Sequence, residues 1–315
     1  MKPRAVRVFA PATISNLGPG FDVIGIAVHT PGDEVLAKRQ TATGLTFSVE
    51  TLQPDVPRNA ESNVAARVAS LMLEEFKPSF GIRMVLHKLM PIGSGLGSSA
   101  ASSVAAAAAV NALLPTPLKK IDLLPFALEG ERIASGAPHA DNVAPCLLGG
   151  ACLIRSYDPL DVVPIPVEGS IVWTIVHPHI AIRTQEARRI LPTTVPLSTA
   201  VHQWGNIGGL TLGLATGNAR LVGTCTEDVI VEPVRAKLIP GFHEVKNSAL
   251  RAGAMGCSIS GSGPSMFAIA SSTASARSIG AEMARTFSHI ANLTSDVYVS
   301  RVNRRGVRIL KTKQE

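Results

Sequence analysis

The chain has 315 residues, of which 46% are hydrophobic, 17% charged and only 4% aromatic. This composition excludes a disordered chain and indicates a globular protein of about two domains, with an aliphatic core rich in alanine. The scarcity of aromatic residues argues against binding single-stranded nucleic acid by base stacking. The net charge of +7 excludes little, because a basic chain attracts nucleic acid, anionic lipid and small anions alike.

The first hundred residues predict mainly strands separated by turns. Alternating hydrophobic residues favour strands over 5–13, 21–28, 33–40, 45–50 and 80–90. An apolar stripe favours one helix, over residues 63–76. The predicted strand over 80–90 runs directly into a glycine-rich loop.

An alanine-rich run from Ser98 onward predicts a long helix, because serine caps helices well and alanine has the highest helix propensity. Its small side chains suit a buried position close to other backbone. A further helix is predicted over 119–133, bent or split by Pro125. The polar segment 135–145 is predicted to be a turn, and a strand over 147–155 follows it.

Residues 158–169, rich in proline and acidic side chains, are predicted to separate two domains, placed at 1–165 and 166–315. In the second half the pattern predicts a strand over 171–178, a helix after Thr184, and two or three helices within 197–255 that break at 240–241. A strand over 265–271, a helix over 273–290 and a strand over 296–302 complete the chain. This interleaving without a regular repeat predicts an α+β fold with layered sheets and helices in both halves.

The four cysteines form no CxxC pair and have no zinc spacing with histidine, which predicts reduced core thiols in a cytoplasmic protein. The first residues lack the apolar segment of a signal peptide, and the most apolar stretch, 100–114, is too short to span a bilayer. We therefore expect no membrane association. The basic tail 301–313 is more typical of a solvated last strand than of a patch that binds polyanions.

The loop 91-PIGSGLGSSAASS-103 has the properties of a phosphate-binding loop. Its glycines expose backbone N–H groups, and the helix that follows directs the positive end of its dipole to the same place. It contains no lysine, which argues against a Walker A loop, and its third glycine comes one residue too early for a dinucleotide fingerprint. A flexible loop that only caps the helix is the alternative. The hydroxyls of Ser98 and Ser99 could ligate Mg²⁺ with a carboxylate, for which Glu129 and Glu131 are available.

Three other polar segments contain candidate ligands for a small molecule. In 135-SGAPHADNVAP-145, Asp141 could bind an ammonium group and Asn142 a hydroxyl, although either residue could instead cap a helix. The segments 16-NLGPGFD-22 and 260-SGSGP-264 carry glycines that permit close approach of backbone to a ligand. Each could be an ordinary turn, but four such loops in one chain together favour a binding site.

In their order along the chain, these motifs resemble those of the GHMP kinases, the superfamily of galacto-, homoserine, mevalonate and phosphomevalonate kinases. Residues 10-APATISNLGPGFDVIGIAV-28 are similar to the first motif, 91–102 to the phosphate loop and 258-SISGSGPSMFAI-269 to the third motif. Within the superfamily, three stretches resemble the homoserine kinase branch: 16-NLGPGFDVIG-25, 130-GERIASGAPHADNVAPCLLGG-150 and 238-LIPGFHEV-245.

The resemblance implies two α+β domains, the first similar to a ribosomal protein domain and the second ferredoxin-like, with ATP and substrate in the cleft between them. It implies transfer of a phosphoryl group from ATP to the side-chain hydroxyl of L-homoserine, a step of threonine biosynthesis, in a homodimer that uses Mg²⁺. The alternatives are a GHMP kinase for a different small alcohol and a nucleic-acid-binding protein of the same first-domain topology.

The resemblance also implies a set of site residues. For ATP they are Asn63, which would touch the adenine, and Pro91, Ile92, Gly93, Ser94, Gly95, Leu96, Gly97, Ser98, Ser99, Ala100 and Ala101. For Mg²⁺ they are Ser99 and Glu131. For homoserine they are Asn16, Asp22, His139, Asp141, Asn142, Thr184, Arg188, Arg235 and Gly261.

The chemistry of homoserine agrees with this set. Its ammonium group requires carboxylates, which Asp22 and Asp141 provide, and its carboxylate requires a planar cationic fork, which Arg188 and Arg235 provide. Without the resemblance, both arginines would be interpreted as ordinary surface residues. We expect Asn142 to orient the attacking hydroxyl in a direct transfer whose proton is lost to phosphate or water, with Asp141 as a general base the competing mechanism.

Overall fold

The computed structural model describes residues 3–313, which build two β-sheets covered by helices. Seven strands form the first sheet: β1 (Ala5–Ser15), β2 (Ile24–Gln40), β3 (Leu45–Glu50), β4 (Gly81–His87), β5 (Ala151–Tyr157), β6 (Leu160–Ile165) and β11 (Arg308–Lys313). Its order is β11-β1-β2-β4-β3, and β5 joins the end of β2 and pairs with β6. All pairs are antiparallel except β3 with β4.

The second sheet has the order β10-β7-β9-β8 and is antiparallel throughout. Its strands are β7 (Val172–Pro178), β8 (Gly256–Ile259), β9 (Met266–Ala270) and β10 (Ser295–Ser300). One core joins the first sheet to its helices and continues through Trp173 and Phe267 of this sheet. A smaller core, with Val245 and Phe287, lies on the other side of the second sheet.

Helices cover both sheets. The first half has α1 (Val64–Phe76), α2 (Ser98–Leu113), α3 (Leu124–Ser135) and α4 (Ala140–Leu148), and the second half has α5 (Thr184–Arg189), α6 (Leu197–Thr216), α7 (Ala219–Thr224), α8 (Glu232–Arg235), α9 (Phe242–Arg251) and α10 (Thr273–Ala291). Within residues 3–313, no helix combines enough length with enough apolar character to cross a lipid bilayer.

Helix α2 is buried along most of its length, as its alanine content predicts. It packs on β1 and β2 on one side and on α1, α3 and α4 on the other. The contact with α3 is so close that a Cβ atom on Gly130 would lie 2.2 Å from Oγ of Ser103. Small side chains therefore allow α2 to reach the centre of the first half, with its N-terminus at the glycine-rich loop.

Several predicted elements have different bounds in the structure. The strands expected at 21–28 and 33–40 are one strand, β2, because β1 pairs with both parts across an irregularity between Pro11 and Thr13. The prediction of a turn over 135–145 is wrong beyond His139, where α4 begins. Pro145 lies inside α4, so it cannot donate to the carbonyl of Asp141. A Cβ on Gly25 would lie 1.8 Å from that carbonyl oxygen, and only glycine allows β2 and α4 to come this close.

Two strands, β6 and β8, were not expected from the pattern, and neither was the pairing of the basic tail with the first strand. β8 precedes the 260–264 loop, and β6, within the segment 158–169, forms a hairpin with β5. β11 returns from the end of the chain to pair with β1, so the first sheet includes residues from beyond 166. The predicted helix over 119–133 is a 3-10 turn, Lys120–Leu123, followed by α3, with Pro125 in the first turn of α3.

Candidate active site

The glycine-rich loop is held by its carbonyl groups. The carbonyl oxygens of residues 93–96 accept hydrogen bonds, in order along the loop, from Ile182 N (3.0 Å), Ser265 N (3.2 Å), Ser260 Oγ (2.7 Å) and Thr13 N (3.1 Å). Among the described residues, no group accepts a hydrogen bond from the backbone N–H groups of residues 93–99, and no side chain caps the start of α2. Unused N–H groups at a helix N-terminus form an anion site.

The three glycines of this loop all have left-handed backbone, with φ of 64° at Gly93, 75° at Gly95 and 67° at Gly97. Two of them also lie against other parts of the site. A Cβ on Gly95 would lie 2.4 Å from the carbonyl oxygen of Ser260, and one on Gly97 would lie 2.2 Å from Oγ1 of Thr13 and 2.9 Å from Oδ1 of Asn142. The loop is therefore in direct contact with the segment 260–264, with β1 and with α4.

Replacement of Gly97 by alanine is expected to lower kcat/KM for ATP by about 100-fold, because the methyl group would displace the loop from Thr13 and Asn142. Gly44→Ala is the matched control, since Gly44 also has a left-handed φ (82°) but has open space at its Cβ position. Steady-state kinetics and thermal unfolding of both variants separate the two effects. Equal losses of kcat/KM in both would show that backbone strain, and not the contact, determines the result.

Asn142, in the first turn of α4, is fixed between two hydroxyl groups of β1. Thr13 donates to its Oδ1 at 2.7 Å, and its Nδ2 donates to Oγ of Ser15 at 3.1 Å. These bonds orient the amide beside Gly97. The side chain therefore lies where the glycine-rich loop meets the polar residues of α4.

Asp141 is buried, and its Oδ1 accepts no hydrogen bond from any residue that the structure describes. Burial and, next, the negative charge of Asp22 raise its pKa from 3.8 to about 7, against the opposing effects of His139 and a hydrogen bond from Ser15. A buried carboxylate with an unused oxygen is suited to a cationic ligand.

Asp22 forms a two-pronged ion pair with Arg188. The distances from Nη1 to Oδ2 and from Nη2 to Oδ1 are 2.9 and 2.8 Å, the geometry in which guanidinium and carboxylate interact most strongly. The backbone of Asp22 is left-handed, with a φ of 61°. Its N–H donates to Oδ1 of Asn16, and its carbonyl accepts a hydrogen bond from the hydroxyl of Tyr157 at 2.8 Å. Loop 16–22 is thus locked in the conformation that presents its carboxylate to the site.

His139 extends this ion pair towards α3. Its Nε2 is 3.0 Å from Nη2 of Arg188, and its Nδ1 is 3.3 Å from Oε2 of Glu131. Because a guanidinium can only donate, Nε2 accepts and Nδ1 carries the proton in this arrangement. Burial lowers the pKa of His139, but the hydrogen bond to Glu131 and the nearby carboxylates outweigh this effect, and the net shift is upward. Protonation of Nε2 would remove the acceptor for Arg188, so protonation and the Arg188 contact compete.

Arg235 is 2% exposed, which shows that its interpretation as a surface residue from the sequence alone is wrong. It donates from Nε to the carbonyl of Ala187 at 3.3 Å and from Nη1 to that of Gly261 at 2.8 Å, and it forms no ion pair within residues 3–313. Burial lowers its pKa to about 10. Its guanidinium lies 5.0 Å from the ring of Phe21, which Arg188 also contacts, at 5.1 Å. A buried cation without a carboxylate is suited to an anionic ligand.

The comparisons with known proteins agree with this geometry. Residues 63–150 match the family model of the GHMP kinases N terminal domain, and residues 212–289 match that of the GHMP kinases C terminal. The homoserine kinase of Chlorobium phaeobacteroides (strain BS1) is 46% identical over 319 residues, covering 98% of this chain and 100% of that protein. The homoserine kinase of Pyrococcus abyssi is 40% identical, covering 95% of this chain and 97% of that protein.

The crystal structure of homoserine kinase from Cytophaga hutchinsonii superposes with a TM-score of 0.93 at 51% identity, covering 98% of each chain. The chain belongs to the homoserine kinase family of the GHMP kinases. The crystal structure of L. major mevalonate kinase in complex with R-mevalonate has the same fold at 17% identity, with a TM-score of 0.75 over 96% of this chain and 98% of that one. The predicted family and the predicted α+β fold of two GHMP kinase domains are confirmed.

In this homoserine kinase family member, most residues expected to bind the substrate lie in one connected group. Asn16 donates to the carbonyl of Gly261 at 3.1 Å, the same oxygen that accepts from Arg235. Thr184, the first residue of α5, is 3.5 Å from Oγ of Ser262 through its Oγ1. The substrate-binding roles of these residues stay predictions.

Asn63 has a local role at the start of α1. Its Oδ1 accepts from Ala65 N at 3.0 Å and caps the helix, while its Nδ2 donates to the carbonyl of Pro57 at 2.7 Å. The side chain is 3% exposed. Both ends of the amide therefore already bond to backbone, and its contact with adenine stays a prediction.

A lysine near the glycine-rich loop was missed. Lys88 is buried in an ion pair with Asp33, and its Nζ also donates to the carbonyl of Ser98 at 2.8 Å and to Oγ of Ser102 at 3.0 Å. Asp33 in turn accepts from two backbone N–H groups, of Leu89 and Met90, each at 3.0 Å. This pair fixes the first turn of α2 beneath the loop. The available signal was the presence of opposite charges, Asp33 and Lys88, within the two segments predicted as strands over 33–40 and 80–90.

Ser99 and Glu131, the residues expected to hold Mg²⁺, lie on α2 and α3, which meet closely at Ser103 and Gly130. A hydroxyl and a carboxylate are hard oxygen donors of the kind that Mg²⁺ prefers. No cluster of three or more acidic, histidine or cysteine side chains in the described part of the chain could hold a metal by itself. The donor set therefore fits a Mg²⁺ ion that takes its remaining ligands from phosphate and water.

Proposed function

We propose that the chain catalyses the ATP-dependent phosphorylation of the side-chain hydroxyl of L-homoserine to O-phospho-L-homoserine. One observation carries the proposal: among the residues that the structure describes, the site holds a buried carboxylate with an oxygen that accepts no hydrogen bond, in Asp141, and a buried guanidinium that forms no ion pair, in Arg235. An amino-acid zwitterion would compensate both charges at once. The relatives named homoserine kinase over nearly the whole chain support the choice of amino acid.

In the proposed complex the ammonium group of homoserine contacts Asp141 and Asp22, and its carboxylate contacts Arg235 and Arg188. Arg188 and Asp22 are paired with each other in the free protein. They would therefore exchange part of this pairing for contacts with the substrate. Asn16, His139, Thr184 and the backbone near Gly261 complete the pocket.

The glycine-rich loop, from Pro91 to Ala101, would hold the phosphates of ATP through its unused N–H groups and the N-terminus of α2. Bound at Ser99 and Glu131, Mg²⁺ would neutralise the negative charge of the phosphate oxygens. Lys88 keeps the first turn of α2 in position, and its charge is compensated by Asp33.

Asn142 is the side chain of α4 that adjoins the loop, so we assign it the orientation of the attacking hydroxyl. An amide takes no proton at neutral pH, and the proton is therefore lost to phosphate or water. Asp141 as general base is the second candidate, which its pKa of about 7 favours.

The proposed activity is tested by ADP release from ATP and Mg²⁺, measured with and without L-homoserine. Homoserine-dependent release is expected, with mevalonate, galactose and shikimate as inactive controls, and its absence would overturn the proposal.

Ser99→Ala is expected to weaken the use of Mg·ATP while leaving the binding of free homoserine unchanged. Titration calorimetry with homoserine alone measures the second quantity. Loss of both would assign Ser99 a structural role.

The biological setting is part of the same proposal. O-phospho-L-homoserine is a precursor in threonine biosynthesis, so we place the reaction in that pathway and in the cytoplasm. The four cysteines, all buried as free thiols, are compatible with a reducing compartment. We also propose a homodimer and no partnership with nucleic acid or membrane.

A further inference from the structure

His177 is a buried histidine that has no part in the proposed reaction. It lies near the end of β7, is 3% exposed, and shares the face of the strand on which Trp173 joins the core of the first half. Val176 lies opposite Met266 in the pairing of β7 with β9, which places His177 opposite Ser265, just before β9 begins. Nδ1 of His177 is 3.1 Å from Oγ of Ser265.

The pair of His177 and Ser265 is the polar row of an otherwise apolar face. The other two cross-strand rows on this face are Trp173 with Ile269 and Ile175 with Phe267. His177 and Ser265 are buried as well, so contact with solvent does not explain their polarity. Apolar groups of the same shape in both places would stabilise a core equally or better. The reason for a polar pair must therefore lie in what the pair holds.

Ser265 connects His177 to the glycine-rich loop. Its N–H donates to the carbonyl of Ser94 at 3.2 Å, and its own carbonyl accepts from the N–H of Ser260 at 2.8 Å. The hydroxyl of Ser260 in turn donates to the carbonyl of Gly95 at 2.7 Å. The hydroxyl of Ser94 forms no hydrogen bond within residues 3–313, so this residue is supported through its backbone. The segment that His177 holds thus supports two consecutive residues of the loop.

His177 is neutral at physiological pH. Burial, and next the positive charge of His179, lower its pKa to about 4, against the opposing charge of Asp296. A neutral imidazole has one donor and one acceptor nitrogen, either of which can bond to a serine hydroxyl. The ring therefore adds no positive charge beneath the phosphate-binding loop, and what it supplies there is a fixed position.

We propose that His177 is a positioning residue for the phosphates of ATP, which holds the glycine-rich loop in place through the hydroxyl of Ser265. This inference rests on the proposed role of that loop. Without the hydrogen bond, the side chain of Ser265 is free to rotate, and the support beneath Ser94 and Gly95 is no longer fixed. The loss matters because a displacement of about 1 Å is enough to weaken contacts that depend on exact placement.

The role of His177 is tested by replacing both members of the pair with apolar residues, His177→Leu with Ser265→Ala. This double variant leaves no buried polar group without a partner, so its thermal stability should equal or exceed that of the unaltered chain. Its Kd for Mg·ATP, measured by titration calorimetry, should nevertheless rise about tenfold, the effect of losing about one hydrogen bond. A merely structural pair would behave differently, because affinity would then be retained together with stability.

Two single variants provide the rescue and the control. His177→Asn keeps a side-chain group that can bond to Ser265 and should bind Mg·ATP within about threefold of the unaltered chain, although the smaller side chain lowers stability. His179→Leu is the matched control, because His179 is about half exposed and bonds to Thr294 and Asp296, away from the loop. Its Kd for Mg·ATP should be unchanged.

Binding of homoserine alone should change by less than about twofold in the double variant. Gly261, in the same segment as Ser265, is held separately by Ser15, Asn16 and Arg235. A stable double variant with an unchanged Kd for Mg·ATP would overturn the proposal, as would an unaltered chain that does not bind Mg·ATP. Failure of the proposed homoserine kinase activity would appear differently, as an unaltered chain that binds Mg·ATP but releases no ADP in response to homoserine.

Discussion

Replacement of Arg235 by leucine is expected to raise KM for L-homoserine by roughly 10- to 100-fold without lowering the thermal stability of the free protein. The loss of one charged hydrogen-bonding partner costs about 1.5–3 kcal/mol of binding. Stability should stay unchanged or rise, because burial disfavours the charge of this guanidinium and no carboxylate within residues 3–313 forms an ion pair with it. Steady-state kinetics and thermal unfolding measure the two effects.

Arg188→Leu is the matched control. Arg188 pairs with Asp22 through two hydrogen bonds, so its removal leaves that carboxylate without its partner and should lower stability as well as affinity. Both variants should therefore weaken homoserine binding, but only Arg188→Leu should lower the thermal stability. If Arg235→Leu left KM for homoserine unchanged, the assignment of Arg235 to the substrate carboxylate would be wrong.

The features predicted well from the sequence are those that depend on neighbouring residues. The strand, glycine loop and alanine-rich helix between residues 80 and 113 follow each other directly, and the loop geometry is determined by Gly93, Gly95 and Gly97 themselves. Helix α4 was missed because Pro145 normally indicates a helix boundary, and its start depends on packing against β2 at Gly25.

The features that were missed depend on contacts between distant residues. β11 pairs with β1, which is about 300 residues earlier in the chain, and its basic composition resembled a solvated tail. The pair of Lys88 and Asp33 and the burial of Arg235 likewise arise only when separate segments pack together. Charge compensation in a folded site cannot be deduced from the local pattern around a single arginine.

The pH dependence of kcat/KM for homoserine is expected to follow the ionisation of Asp141. The free protein holds this carboxyl at a pKa of about 7, so below neutral pH it carries a proton and cannot attract an ammonium group. Because kcat/KM reports groups of the free enzyme, it should rise between about pH 6 and 8 and then level off. In kcat the same rise should lie at lower pH, since the bound ammonium lowers the pKa of Asp141.

Two variants test whether Asp141 is the group whose ionisation causes this pH dependence. Asp141→Asn should remove the rise and act mainly on KM if the side chain binds the ammonium, whereas a loss mainly of kcat would make Asp141 the base. His139→Gln should keep the rise but move it to higher pH, because the charge of His139 lowers the pKa of Asp141. A rise that persisted unchanged in Asp141→Asn would exclude Asp141 as its origin.

The free energy of unfolding should depend on the same ionisation of Asp141, but it should decrease with rising pH, whereas kcat/KM increases. The native state holds the Asp141 proton up to about pH 7, while the unfolded chain loses it near 3.8, so stability from this group decreases as pH rises through that window. Homoserine compensates the ionised form, and the increase in Tm that it produces should therefore be larger at about pH 8 than at about pH 6. In Asp141→Asn this difference should disappear, which links the buried carboxylate to the ammonium group independently of any turnover measurement.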